Sequence, residues 1–248
     1  MSPRRLTQLT DAFSKKPRNL QAPVASHFAH YNLVHGYKMT VHGQEFSQTQ
    51  AAGWFAGKTF GYDWTSSHFP IWAGLLARYR DLPARVIEVG SWEGRSALFF
   101  MNFLPRSQLV CIDTFEGSEE HRAHPEAFAS DLPEIERRFD TNLAPFAHRI
   151  EKRKAASAVA LAEFGIDGRR FDIAYIDGSH ASADVYGDGV LAWSMLVPGG
   201  IMMFDDYEWE YLPEPRSNPK LGIDSFLRAF EGQYRIVHMG FQVALEKL

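Results

Sequence analysis

From residue 85 onward, short apolar runs alternate with stretches of helical periodicity. Runs rich in β-branched and aromatic residues predict strands at Arg85–Val89, Gln108–Ile112, Arg149–Lys152, Phe171–Ile176 and Gly200–Phe204. Helices are predicted between and after these strands, at 94–103, 131–144, 156–164, 181–195 and 222–231. Strands that alternate with helices of this length are typical of βαβ units, and they predict a parallel sheet.

The two ends of the chain follow other patterns. Strand-like runs at Tyr234–Met239 and Gln242–Glu246 are joined by a link that is too short for a crossover helix but suits an antiparallel pair. Apolar positions on one helical face predict a helix over 68–80. We therefore expect an α/β domain at 81–248, with an open seven-stranded, mostly parallel sheet and a C-terminal antiparallel hairpin. Residues 1–80 are expected to form a basic arm and a helical extension.

Composition and charge limit the partners of this chain. The formal net charge is −4, which makes nucleic acid an improbable partner for the whole protein, although the first twenty residues are basic and their role stays open. A single cysteine rules out an intrachain disulfide and is consistent with a reducing compartment. No apolar run reaches the roughly 18 residues of a membrane span, and no secretory signal pattern is present. We expect a cytoplasmic protein without membrane partners.

A glycine-containing loop joins the first predicted strand to its helix. Gly90 permits a tight turn there, and Gly94 permits close packing of the helix that follows. Glu88 ends the strand, and a buried carboxylate suits a cationic ligand or loop amides rather than a pyrophosphate. Asp113 ends the second strand, where an acid can accept both hydroxyls of a ribose. Taken singly, the loop is also compatible with a plain helix start, and Asp113 with a turn former or a helix cap.

The acid, the glycine loop and the second acid together resemble the class I S-adenosylmethionine-dependent methyltransferases over residues 85–248. The resemblance implies a Rossmann-like fold, with Glu88 and Gly90 near the methionine part of the cofactor and Asp113 on the ribose. It also implies that Thr114 and Phe115 flank the adenine and that Ala156 and Ser157 meet its edge, although Ser157 also suits a helix N-cap. The full set of cofactor-binding residues expected from it is Glu88, Gly90, Ser91, Gly94, Ser96, Asp113, Thr114, Phe115, Ala156, Ser157, Asp177 and His180.

Three acids follow the fourth and fifth predicted strands. Asp177 ends the fourth, and Asp205 and Asp206 end the fifth, so adjacent strand ends should bring them together. Carboxylates gathered in one cleft repel one another, and Mg²⁺ relieves that repulsion through oxygen ligands. The set resembles the metal triad of catechol-type and antibiotic-sugar O-methyltransferases. Alternatively, Asp205 caps a turn while Asp177 binds loop amides, as in a metal-free enzyme.

This sequence departs from both of those enzyme groups. Catechol-type enzymes usually carry Asp-Asn where this chain has Asp205-Asp206, which favours the sugar-type comparison. Sugar-type enzymes tend to read Asp-Gly-Asp after the fourth strand, where this chain reads Asp177-Gly178-Ser179-His180. Many metal-free relatives carry Asp-Gly-x-His at this place, so the requirement for a metal is left open.

His180 is the candidate general base and, with Asp177, completes the expected catalytic pair. Histidine titrates near neutral pH and can accept a hydroxyl proton, although at this place it can equally be a cofactor contact or a cap. Residues 207–220 are expected to form an irregular loop, in which Trp209 and Tyr211 pack either on a substrate ring or on the core. His121 and His124 are expected on a solvated loop.

The function expected from these features is O-methylation of a hydroxylated small molecule, either a sugar-containing or an aromatic natural product, with Mg²⁺ as a candidate second cofactor. The alternatives are an N-methyltransferase and a non-catalytic cofactor-binding partner protein. A nicotinamide-dependent oxidoreductase is disfavoured, because the loop lacks G-x-G-x-x-G and Glu88 would repel a pyrophosphate. Assembly into a homo-oligomer is left open.

Overall fold

A computed structural model describes the chain at residues 51, 53–118, 121, 128, 131–210, 214 and 217–248. The predicted basic arm, His124 and Tyr211 lie outside the described residues. All the expected strands and helices of the domain at 81–248 lie within them, so their bounds can be compared directly with the sequence pattern.

A seven-stranded sheet organises the described residues. Its strands are β1 (Arg85–Val89), β2 (Gln108–Asp113), β3 (Ile150–Lys154), β4 (Phe171–Ile176), β5 (Leu196–Phe204), β6 (Tyr234–Met239) and β7 (Val243–Lys247). The order across the sheet is β3-β2-β1-β4-β5-β7-β6. The first five strands pair in parallel, whereas β7 is antiparallel to both β5 and β6. The expected mostly parallel sheet with a terminal antiparallel hairpin is confirmed.

Helices cover both faces of the sheet. They are α1 (Phe69–Leu76), α2 (Arg95–Phe103), α3 (Ile135–Leu143), α4 (Ser157–Ile166), α5 (Ser182–Met195) and α6 (Pro219–Ala229). The 3-10 turns Ser66–His68 and Ala77–Tyr79 flank α1, and Leu132–Glu134 and Ala144–Arg149 flank α3. The prediction of an irregular loop over 207–220 is wrong at its end. Pro219 opens α6, because proline has no N–H to leave unsatisfied in a first helical turn.

Two apolar layers hold the helices to the sheet. On one side, Trp72 of α1 and Phe100 of α2 pack with Ile173 and Tyr175 of β4. On the other side, helices α4, α5 and α6 pack against the residues of β4 that alternate with these, such as Ala174. Successive residues of a strand point to opposite faces, so Tyr175 and Asp177 lie on the same side of β4. Helix α1, from the expected N-terminal extension, shares the core of the sheet domain.

The carboxyl ends of β1, β2, β4 and β5 meet at one edge of the sheet. The chain leaves β1 for β2 on one side, and β4 lies on the other side, so the strand order reverses at β1. Open α/β sheets bind ligands outside the carboxyl ends of the strands at such a switch point. Within the described residues, no helix combines the length and the hydropathy needed to cross a membrane.

Candidate functional site

The glycine loop contacts the end of β4 directly. Gly90 has a φ of 84°, and a Cβ at this position would lie 1.9 Å from the carbonyl oxygen of Asp177. Gly94 has a φ of 81°, and a Cβ there would lie 2.7 Å from Cδ1 of Leu143 in α3. Both positions therefore require glycine, the first for the approach of two strand ends and the second for helix packing. The loop and Asp177 belong to one site.

Glu88 lies beneath this loop with 0% of its surface exposed. Its Oε2 accepts hydrogen bonds from Ser91 Oγ at 2.6 Å and from Cys111 Sγ at 3.4 Å. Its Oε1 has no hydrogen-bond partner among the described residues. Burial raises the pKa of Glu88 to about 7, although Ser91, Ser96 and Cys111 oppose the rise. A buried acceptor without a donor is costly, so this place fits a ligand that carries N–H donors, such as the ammonium of a methionine moiety.

Asp113 holds the glycine loop in shape. Its Oδ2 accepts the backbone N–H of Ser91 at 2.8 Å and of Trp92 at 2.7 Å, and its Oδ1 accepts that of Phe115 at 2.6 Å. Burial raises the pKa of Asp113, and these amides oppose that rise. Trp92 and Phe115 have left-handed φ values of 47° and 57°, so the acid stabilises two strained turns. The contact of Asp113 with a ribose stays a prediction. The structure shows a second role for Asp113, which is to hold the glycine loop through backbone amides.

The residues expected at the adenine edge follow β3. Ala156 is the N-cap residue of α4 and Ser157 is its first helical residue, so the alternative N-cap role assigned to Ser157 falls instead on Ala156. The Ser157 hydroxyl interacts with Asp188 of α5, a carboxyl whose pKa burial raises to about 6. Thr114 Oγ1 accepts the N–H of Glu116 at 3.3 Å. Asp188 was missed in the sequence because nothing near it in the chain marks it as buried beside Ser157.

Tyr175 links the acids that follow β4 and β5. It is completely buried, and its hydroxyl oxygen lies 2.9 Å from Asp177 Oδ2 and 2.6 Å from Asp205 Oδ2. Burial, followed by the two carboxylates, raises the pKa of Tyr175 well above its ordinary value, so the hydroxyl keeps its proton at neutral pH. Asp205 Oδ1 also accepts the N–H of Asp206 at 2.8 Å. Strand alternation, with Tyr175 two residues before Asp177, was the signal that could have identified it.

His180 joins this acidic group. Its Nε2 lies 2.9 Å from Asp206 Oδ2, and Asp206 has a left-handed φ of 61°. One ligand atom each from Asp177, His180 and Asp206 lie within 4.8 Å of one another. The two carboxylates suit a hard divalent cation such as Mg²⁺ or Mn²⁺, whereas an imidazole suits softer metals, so Asp177 and Asp206 are the candidate ligands for Mg²⁺. The three acids expected from the sequence do meet at this edge, with His180 among them and with Asp205 bonded to Tyr175.

The loop after β5 covers His180. The Trp209 ring lies 4.4 Å from the His180 ring at an interplanar angle of 32°, and Trp209 is 6% exposed. The backbone N–H of Trp209 donates to the backbone carbonyl of Asp206 at 3.0 Å, and this bond fixes the loop to the acidic group. A small cavity is lined by Ile176, Asp177, Gly178, Ser179, His180, Val185, Asp205, Asp206 and Pro219. The acidic group and His180 therefore face one small cavity, and Trp209 packs on the His180 ring.

A second buried acid of the loop, Glu93, binds the N-terminal segment. Its Oε2 accepts the N–H of Gly61 at 2.7 Å, and its Oε1 accepts a hydrogen bond from Arg138 Nη1 at 2.5 Å. Asn142 donates to the carbonyl of Glu93 at 3.0 Å and pairs with the backbone of Thr59. No pattern in the sequence indicates this connection, because the partners are distant in the chain. It holds part of the N-terminal extension against the glycine loop.

His121 is buried rather than solvated, so that expectation was wrong. Only 6% of its surface is exposed, and its ring stacks on Trp92 at 4.7 Å and packs edge-on against Phe128 at 4.6 Å. Trp64 of the N-terminal segment lies 5.6 Å from Trp92. These rings form an aromatic wall beside the glycine loop, and the favourable burial of aromatic surface there outweighs the solvation of the imidazole.

Comparison with known proteins identifies the kind of domain that carries this site. The sequence profile of a family described as a methyltransferase domain matches residues 87–207. Mycinamicin VI 2''-O-methyltransferase from Micromonospora griseorubida is 26% identical over 142 residues, which are 54% of this chain and 30% of that protein. The chain thus spans about a third of the length of this curated relative.

Solved structures share the fold. The MycE methyltransferase of mycinamycin biosynthesis, solved with Mg, S-adenosylhomocysteine and mycinamycin VI, superimposes with a TM-score of 0.55 and 21% identity over 81% of this chain and 54% of that one. The O-methyltransferase TomG from Streptomyces achromogenes, solved with S-adenosylmethionine, gives a TM-score of 0.52 and 19% identity over 89% and 98% of the two chains. Residues 87–207 therefore form a methyltransferase domain, and the chain shares the fold of these solved methyltransferases.

Proposed function

We propose that this chain transfers the methyl group of S-adenosylmethionine to a hydroxyl of a small molecule, a sugar-bearing or aromatic natural product, with the help of a divalent cation. The observation that carries the proposal is the contact between Gly90 and Asp177. It brings the cofactor loop against the acidic group, so a donor held by the loop and an acceptor held at the acids would be neighbours. Proximity of this kind supplies a large part of the rate when the donor is already activated.

The cofactor half of the proposal is supported by the loop. Glu88 offers an unsatisfied acceptor for an ammonium group, and Gly90 leaves room where a side chain would collide. Ser96, buried in the first turn of α2, lies beside Glu88 and opposes the rise of its pKa. Asp113 lies at the end of β2 with its carboxylate fixed by amides, at the place expected for a ribose contact. When bound, the sulfonium supplies an activated methyl group, and the loop residues only bind and orient it.

The acceptor half is supported by His180 and Asp206. We propose that His180 takes the proton of the acceptor hydroxyl, while Asp206, at 2.9 Å, orients the imidazole and stabilises its protonated form. The acceptor oxygen then forms the new bond to the methyl carbon, and the electrons of the broken C–S bond stay on sulfur. A bound Mg²⁺ would supply charge stabilisation for the developing oxyanion. Trp209, over His180, would exclude water from the proton transfer.

The relatives support a hydroxyl of a natural product as the target. The curated relative acts on mycinamicin VI, and TomG takes part in tomaymycin synthesis. The test is formation of S-adenosylhomocysteine by the full chain with a panel of glycosylated macrolides and catechols, in Mg²⁺ and in excess chelator. We expect turnover that chelation abolishes while the affinity for S-adenosylhomocysteine is largely unchanged. Undiminished turnover in excess chelator would remove the cation from the proposal.

The role of His180 is tested separately. His180→Ala should slow turnover by roughly 10²-fold or more if the imidazole is the general base. The matched control is His148→Ala, because His148 is exposed at the end of the 3-10 turn before β3, away from the acids. We expect His148→Ala to match the wild type. Methylation of an amine analogue in preference to its hydroxyl counterpart would favour N-methylation.

A further inference from the structure

Tyr175 has a hydroxyl that the proposed reaction does not use. Its ring packs edge-on against Trp72 at 4.9 Å and Phe100 at 5.9 Å, so the ring is held by the apolar core. Only its tip reaches the acidic group, where two carboxylates on different strands lie within hydrogen-bonding distance of one oxygen. Phenylalanine would fill the same space in the core, so packing alone does not explain the hydroxyl.

The geometry around this hydroxyl brings the two strand ends together. A phenol carries one proton, and both Asp177 Oδ2 and Asp205 Oδ2 compete for it at 2.9 and 2.6 Å. Two carboxylates that close repel each other unless a donor or a cation lies between them. The hydroxyl supplies such a donor on the side of the group that faces the core.

The effect of Tyr175 extends to the third acid. Asp205 is bonded to the Tyr175 hydroxyl through Oδ2 and accepts the backbone N–H of Asp206 with Oδ1. Asp206 is held there in a left-handed conformation and meets His180 with its own carboxylate. One buried hydroxyl is therefore connected, through hydrogen bonds, to every residue of the acidic group. Outer groups of this kind orient metal ligands and tune them.

We propose that Tyr175 is a positioning residue that sets the spacing of Asp177 and Asp205 and so preorganises the group for a divalent cation. The inference rests on the proposed function, since it assumes that a cation binds there. It assigns a role to a residue that the proposed reaction does not otherwise use.

The test is calorimetric titration of Mg²⁺ or Mn²⁺ into the full chain saturated with S-adenosylhomocysteine. Tyr175→Phe should raise the Kd of the cation at least tenfold, in the range of about 10- to 100-fold seen when outer groups of metal sites are removed. The Kd of S-adenosylhomocysteine should change less than twofold. The control is Tyr79→Phe, which removes a hydroxyl 2.9 Å from the Gly199 carbonyl, in the same apolar layer but away from the acids. Tyr79→Phe should leave both affinities unchanged.

The outcomes separate the two proposals. A wild-type chain that binds neither cation refutes the cation centre, and the role of Tyr175 is refuted with it. Equal cation affinity in the wild type and in Tyr175→Phe refutes only the role of the hydroxyl. A Tyr175→Phe protein that loses both affinities, with a Tm far below that of Tyr79→Phe, would show a general structural role and would also overturn the inference.

Discussion

Replacing Glu88 with glutamine tests whether burial raises the pKa of this carboxyl and so makes the stability of the fold depend on pH. Burial raises the pKa of Glu88 from its ordinary 4.5 to about 7. Between these two values the folded chain binds more protons than the unfolded chain, so the free energy of unfolding falls as pH rises from about 4.5 to about 7. Each pKa unit corresponds to about 1.4 kcal/mol, so ionised Glu88 costs the folded state about 3 kcal/mol above pH 7.

The assay is urea unfolding of both proteins at pH 5 and at pH 8. Glutamine does not titrate, so Glu88→Gln should gain about 2.5 kcal/mol on the wild type between pH 5 and pH 8, because part of the wild-type loss is already present at pH 5. Glu136→Gln is the control, because Lys152 and Lys154 lower the pKa of Glu136 and its contribution is complete above pH 4.5. Its difference from the wild type should be the same at pH 5 and pH 8. A pH-independent difference for Glu88→Gln as well would refute the reasoning.

The same carboxyl should link cofactor binding to pH. An ammonium group that donates a hydrogen bond to Glu88 Oε1 favours the ionised carboxylate. Binding of S-adenosylhomocysteine at pH 6 should therefore release protons, and the affinity for this ligand should rise toward pH 8. Calorimetry at pH 6 in buffers of different ionisation enthalpy measures that release. Glu88→Gln should bind more weakly, with less proton release. Proton uptake by the wild type would contradict the assignment.

Three further substitutions test other parts of the site. Gly90→Ala should lower the free energy of unfolding, measured in urea, by about 3 kcal/mol, because alanine is strained at a left-handed φ and its Cβ would collide with the Asp177 carbonyl. Wild-type stability of this variant would refute the close approach. Asp113→Asn should raise the Kd of S-adenosylhomocysteine by roughly 10- to 100-fold, because one amide oxygen cannot replace a carboxylate that binds three N–H groups; an unchanged Kd in calorimetry would count against it. Arg149→Met should lower the free energy of unfolding in urea by about 2 kcal/mol, because the Arg149 guanidinium donates to carbonyls at the end of α2 and just after it. The affinity for the cofactor should not change, and a loss of affinity would contradict a purely structural role.

The pattern of apolar positions was sufficient to predict the sheet. The predicted bounds of β1, β4 and β6 are confirmed residue for residue. The runs of β1 and β4 are largely buried, β6 is only partly buried, and each of the three strands is followed by a turn residue, namely Gly90, Asp177 or Gly240. The predicted β3 began one residue early and ended two residues early, since this edge strand is mostly charged and its pattern is weak. Placing Asp177 and Asp206 at one edge followed from parallel topology alone.

The contacts that shape the site could not be predicted in the same way. The hydrogen bonds of Tyr175 to Asp205 and of Glu93 to Gly61 join residues 30 and 32 positions apart. Their partners depend on how strands and loops are placed in space, and periodicity along the chain carries no such information. The burial of His121 against Trp92 depends likewise on tertiary packing, whereas a histidine among charged residues is typical of an exposed loop.

Three residues other than glycine have left-handed backbone among the described positions, namely Trp92, Phe115 and Asp206. They follow β1, β2 and β5, so all three lie at the edge that carries the site. Each conformation costs about 1–3 kcal/mol that glycine would largely avoid. A directed-evolution screen that selects only for thermal tolerance should therefore accumulate glycine or asparagine at these positions. The variants it yields would be robust proteins with impaired turnover, because stability and activity compete at these turns.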